Sequence, residues 1–144
     1  MTTLPSLPCY LNGTYTPLNE ARISVMDRGF IFGDGIYEVV PVYAGRPFRF
    51  AQHMARMERS LVELRIPNPH TREQWMAIVR ELLTRFGNGA EHTGEYLVYI
   101  QITRGVAMRD HVMPADIEPT VFAMVNTMRT PSALASAERA IAQP

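Results

Sequence analysis

Residues 71–86 limit the fold of this chain more tightly than any other stretch. They open on Thr71-Arg72-Glu73-Gln74, a capping box: Thr71 caps an N–H left orphaned at the helix start, and Gln74 reaches back. Trp75, Ile78, Val79, Leu82, Leu83 and Phe86 then recur at helical spacing, and Gly87-Asn88-Gly89 stops the pattern. A helix with so broad an apolar stripe is stable only against a second apolar surface. The stretch from about Gln52 to Leu64 predicts another, with Met54, Met57, Leu61 and Leu64 on its apolar side.

Strands flank the helices on both sides. Residues 9–16 read as two short β-prone runs around Asn12-Gly13, a strong hairpin signal because both residues tolerate positive φ. A strand from about Ile36 to Tyr43 turns at Ala44-Gly45-Arg46-Pro47 into Phe48-Arg49-Phe50. Alternation puts Tyr37, Val39, Pro41 and Tyr43 on one face, and Pro41, which lacks an N–H, implies an edge or a bulge. After the helices come strands at about Glu95 to Thr103 and Thr120 to Asn126, too continuously apolar to be half-exposed. Strands, two helices, then strands again is the order of an α+β layer sandwich.

Composition narrows the function classes. The chain has 144 residues, one domain's worth, and its 47% hydrophobic content suffices for a core. Formal net charge is zero and the arginines are scattered, which leaves no electrostatic footprint for nucleic acid or an anionic membrane. The apolar runs are too short to span a bilayer, and Met1 to Pro8 has no secretory pattern. Cys9 is the only cysteine, so an internal disulfide and a cysteine-rich zinc site are excluded; the histidines show no metal-ligand spacing. These features fit a cytoplasmic protein with no metal, nucleic-acid or membrane partner. All 14 basic residues are arginines, and there is no lysine.

Three groups of residues could carry chemistry. Arg109 and His111 lie two apart, so on an extended segment they project to one side, and a guanidinium fork beside an imidazole suits a carboxylate. His53, Arg56 and Ser60 share one side of the first helix. Arg56 there suits a phosphate, or else is an exposed arginine paired with Glu63 or with nothing. Tyr37 offers a hydroxyl on its strand, or is a core tyrosine. Gly33-Asp34-Gly35 reads as a tight turn and lacks the frame of a phosphate loop.

Asp27-Arg28-Gly29, Phe32-Gly33-Asp34-Gly35-Ile36-Tyr37-Glu38-Val39-Val40, His53-x-x-Arg56 and Thr103-Arg104-Gly105 through Arg109-x-His111-x-x-Pro114 follow one another in order. Together they resemble the front half of the class IV (fold type IV) pyridoxal-phosphate aminotransferases, over about Tyr10 to Asn126. The Arg-x-His loop is similar to the D-amino-acid aminotransferase branch. The branched-chain aminotransferase and aminodeoxychorismate lyase branches share the Gly-Asp-Gly stretch and usually lack that loop. The resemblance implies an antiparallel sheet with two helices packed on one face. It also implies Arg56 on the phosphate of pyridoxal 5'-phosphate, and Tyr37, Arg109 and His111 around the substrate carboxylate. D-amino acids and 2-oxo acids are the implied substrates, in a homodimer whose Arg/His loop serves the neighbouring subunit. An arginine cannot form the family's Schiff base. The lysine is therefore expected after residue 144, in a second domain, with residues 1–130 forming the first and 131–144 a linker or a frayed terminus. The 144 residues alone are expected to be inactive. A free-standing non-catalytic domain that dimerises or binds an anion is the reading of a different class.

Overall fold

The computed structural model describes residues 2–87 and 94–129. Asn12 and Gly13, at φ 48° and 91°, close the hairpin between β1 (Pro8–Leu11) and β2 (Thr14–Pro17). Asn12 also ties the hairpin to the rest of the sheet. Its N–H donates to the Val121 carbonyl at 3.0 Å, and its side-chain oxygen accepts the Val121 N–H at 2.8 Å.

A five-residue helix that the sequence reading does not anticipate, α1 (Arg28–Phe32), fills the motif before the next strand. Asp27 caps it by accepting the Gly29 N–H, and Gly33 ends it at φ 65°, the left-handed conformation that favours glycine. Strand β3 (Gly35–Tyr43) follows, then β4, which is only Arg46–Pro47. The turn is confined to Ala44-Gly45, and Phe48–Phe50 does not continue as the expected strand. Arg49 is left-handed at φ 49° and Phe50 opens α2 (Phe50–Leu64).

The sheet order is β2-β1-β6-β5-β3-β4, with β5 (Tyr96–Thr103) and β6 (Thr120–Thr127) central and every pairing antiparallel. Pro41 lies where the outer side of β3 has no strand ladder, since β4 pairs only with Val42 and Tyr43. The Pro41 carbonyl accepts the Phe48 N–H at 2.7 Å, so its missing donor leaves no gap.

Helices α2 and α3 (Arg72–Phe86) pack on one face of this sheet, as the α+β reading expects. The capping box forms in both directions, Gln74 N–H to Thr71 Oγ1 and Thr71 N–H to Gln74 Oε1. Met54, Met57, Leu61, Trp75, Val79 and Leu82 bury against Val40, Val98, Ile100, Ala123 and Val125. Each large side chain so buried contributes roughly 1.5–3 kcal/mol. Leu64 does not join them and is 38% exposed, because α2 ends there and Arg65 turns left-handed.

The reading of β5 and β6 as covered on both sides is corrected. Burial alternates along each, and only the helix-facing residues are consistently buried. The other face carries Leu97, Tyr99, Phe122 and Met124, half-buried, beside an exposed Tyr37. These strands read as continuous because the second face is also apolar. The stretch read as a linker, 131–144, lies outside the described residues.

Candidate active site

Alternation along β3 sends adjacent residues to opposite faces, so Tyr37 and Glu38 do different things. Glu38 points under α2 and its side chain is only 3% exposed. A carboxylate there needs partners, and α2 provides two from one side. His53 Nδ1 lies 2.8 Å from Glu38 Oε1; Arg56 donates from Nε to Oε2 at 2.9 Å and from Nη2 to Oε1. Burial alone drives the Glu38 carboxyl upward. The Arg56 and His53 hydrogen bonds and charges outweigh it and hold the group below its ordinary value.

Arg56 is therefore not paired with Glu63. Its side chain, 60% exposed, is braced by Glu38 through Nε and Nη2, and Nη1 makes no hydrogen bond among the described residues. It borders a cleft of about 310 Å³ with Tyr37, Glu38, Val39 and Ser60. Tyr37 is 68% exposed on that rim, and its ring stacks on Tyr99 at 5.9 Å. It is not a core tyrosine. A larger cleft of about 560 Å³, between the Asn12-Gly13 turn and residues 116–119, is lined by none of Tyr37, Arg56, Arg109 and His111.

The loop after β5 is held by a second ion-pair hub. Asp34 accepts from Arg28 Nε at 3.0 Å, Arg104 Nε at 2.7 Å and Arg104 Nη2 at 3.1 Å, and both arginine side chains are only 5% exposed. Burial pushes the Asp34 carboxyl up, but hydrogen bonds and charge from Arg104 and Arg28 prevail and lower it. Arg104 also donates to the Leu64 and Arg65 carbonyls, and Arg28 to the Asp110 carbonyl at 2.8 Å. Gly105 lets the chain leave the hub: at φ 113°, a Cβ there would sit 1.9 Å from the Glu118 carbonyl oxygen.

On that loop Arg109 and His111 are exposed and both lie against Phe32. The His111 ring centroid is 5.7 Å from that of Phe32, and Arg109 Cζ is 5.4 Å from it. The structure thus brings Arg109 together with His111, and Tyr37 together with Arg56. Among the described residues no hydrogen bond, ion pair or ring contact joins one couple to the other. Sequence reasoning missed Glu38, Phe32 and the Arg28–Asp34–Arg104 hub as components. Glu38 carried one signal, a charge on the helix-facing side of an apolar strand.

The family model for amino-transferase class IV matches residues 35–143. The chain belongs to that family. It is 38% identical over 123 residues to the D-alanine aminotransferase of Staphylococcus haemolyticus, covering 85% of this chain and 42% of that one. The class IV chain therefore spans about two fifths of the length of the relatives it matches. Among solved structures it superposes on the branched-chain amino acid aminotransferase of Escherichia coli with a TM-score of 0.76 at 18% identity, over 88% of this chain and 41% of that chain. It also matches the PLP-bound form of a hypothetical aminotransferase from Mycobacterium tuberculosis, TM-score 0.71 at 20% identity, over 92% and 43%. Both share its fold. Among the described residues no helix is long and apolar enough to cross a membrane, and no group of three or more metal-ligating side chains is present.

Proposed function

We propose that this chain is part of a pyridoxal-phosphate transaminase that moves the amino group of a D-amino acid to a 2-oxo acid. The observation that carries the reading is the Arg109/His111 couple, both exposed and both against the Phe32 ring on a pinned loop. That pair suits a carboxylate, and the 38% identity to a D-alanine aminotransferase favours the D-amino-acid branch. A non-catalytic anion-binding domain accounts for the exposed arginines, but not for that identity.

The residues present fit part of the cofactor. Arg56 has a braced, accessible guanidinium on an open cleft, suited to a phosphate, and the Glu38 carboxylate beside it is already neutralised. When bound, pyridoxal phosphate supplies the ring that stores the electrons released at the amino acid's α-carbon. Arg56 anchors the phosphate end. The Tyr37 hydroxyl contributes a hydrogen bond at the substrate carboxylate. Arg109 and His111 grip that carboxylate, which fixes the face of the α-carbon offered to the base. The family's base is a lysine, which these 144 residues do not contain, so on this reading they do not transaminate by themselves. The separation of the two couples is accommodated if the Arg109/His111 loop serves the site of a second subunit, giving a cytoplasmic homodimer.

Steady-state kinetics on the full-length enzyme test this. Arg109→Ala should lower kcat/KM for D-alanine or D-glutamate about ten- to hundredfold, the loss of one charge-assisted contact, and leave cofactor affinity unchanged. Mixing these subunits with subunits lacking the Schiff-base lysine should restore activity, because one mixed site pairs an intact lysine with an intact clamp. A preference for L-substrates in the unmutated enzyme would overturn the D-specific reading, and a normal Arg109→Ala enzyme the clamp.

A further inference from the structure

Phe32 is the last residue of α1 and stands at the centre of three contacts. Arg28 Cζ lies 4.7 Å from its ring centroid, Arg109 Cζ lies 5.4 Å from it, and the His111 ring is tilted at 45° with a centroid distance of 5.7 Å. Among the described residues neither loop side chain hydrogen-bonds to the other or to a further side chain; what they share is this ring. An aromatic face attracts cations through its quadrupole, so it can hold a guanidinium in place without using up its N–H donors. That is the requirement for a residue that must stay poised for an anion. A carboxylate partner in the same position would compete with the substrate.

The ring is itself fixed. Arg28 stacks on it while donating from Nε to Asp34 and from Nη1 to the Asp110 carbonyl, the residue between Arg109 and His111. Gly33 at φ 65° stops the helix directly after Phe32. Backbone and ring therefore meet the loop together: Arg28 pins the Asp110 carbonyl, and Phe32 sets the two flanking side chains.

Resting on the carboxylate-clamp reading above, we propose that Phe32 is a positioning residue that sets Arg109 and His111 for the substrate carboxylate. Its effect passes through the two residues that lie against its ring.

The test uses the full-length holoenzyme and D-alanine with 2-oxoglutarate. Phe32→Leu keeps apolar volume and removes the π face. It should raise KM for both substrates about three- to tenfold, change kcat less than twofold, and leave the dissociation constant of pyridoxal phosphate unchanged. Phe32→Tyr, which keeps the π face, should recover most of that loss. In an Arg109→Ala background Phe32→Leu should add less than twofold, because its main object has been removed. Thermal unfolding of each variant reads any general weakening, and Phe32→Met replaces the leucine variant if that protein does not fold. A normal KM in Phe32→Leu, a failure of tyrosine to rescue, or full additivity with Arg109→Ala overturns the positioning role and leaves the clamp standing. A normal Arg109→Ala enzyme overturns both.

Discussion

Asp34→Asn is the substitution whose consequence is largest for its size. The carboxylate accepts three charge-assisted hydrogen bonds from Arg28 and Arg104, both of which are 5% exposed. Asparagine keeps one acceptor oxygen and turns an NH₂ group toward a guanidinium. Two nearly buried positive charges then face each other without a counterion. Removing one partner of such a buried pair costs about 3–5 kcal/mol. A domain of this size is stable by roughly 5–15 kcal/mol, so the change removes a large fraction of the margin. With a urea dependence of about 2 kcal/mol per molar, the denaturation midpoint should fall by about 1.5–2.5 M.

The damage should extend to the site. Arg28 carries the Asp110 carbonyl and Arg104 carries the Leu64 and Arg65 carbonyls, so the hub joins the Arg109/His111 loop to the end of α2. Urea denaturation followed by circular dichroism measures the first effect, and the KM for D-alanine in the full-length enzyme the second. Arg104→Met should be costly alone and less than additive with Asp34→Asn, since the double variant no longer leaves that charge unpaired. A loss under about 1 kcal/mol, or strict additivity, would show that the hub is solvated and that another contact holds the loop.

Arg56→Ala should weaken binding of pyridoxal phosphate to the full-length enzyme about tenfold or more, by equilibrium dialysis; unchanged affinity would reduce Arg56 to a brace for Glu38. Stability should fall in acid. The Asp34 and Glu38 carboxyls are held below their ordinary values of 3.8 and 4.5 in the folded state, so their contribution is complete above those values and is lost as pH falls through the lowered ones. Urea midpoints taken between about pH 7 and about pH 3 should show this acid limb, and a flat profile in the wild type would contradict it. With no lysine in the sequence, borohydride reduction of residues 1–144 with pyridoxal phosphate should trap no adduct at an interior residue, which peptide mapping by mass spectrometry decides.

The parts of this structure legible in the sequence are those written in neighbouring residues. The capping box at Thr71, the Asn12-Gly13 turn and the buried faces of α2 and α3 each depend on residues within a few positions of one another. The hub was not legible. Asp34 meets Arg104 across 70 positions, and Arg104 meets Leu64 across 40, so neither spacing nor periodicity reports the contact. Helix α1 was missed because its five residues are too few for a period to show, leaving only the caps at Asp27 and Gly33. The candidate site divides the same way. Arg109 and His111 were visible as a pair, but the ring that joins them belongs to a helix almost 80 residues earlier.

Strand β3 explains why one short stretch could carry so much of the site. Because β4 pairs only with Val42 and Tyr43, the outer side of β3 at Tyr37 and Val39 is open to α2. Arg56 donates to Glu38 of the inner face and lines the same cleft as Tyr37. Arg49, left-handed at φ 49°, turns the chain from the two-residue β4 into α2, the helix that carries Arg56 to the cleft it shares with Tyr37 of the sheet.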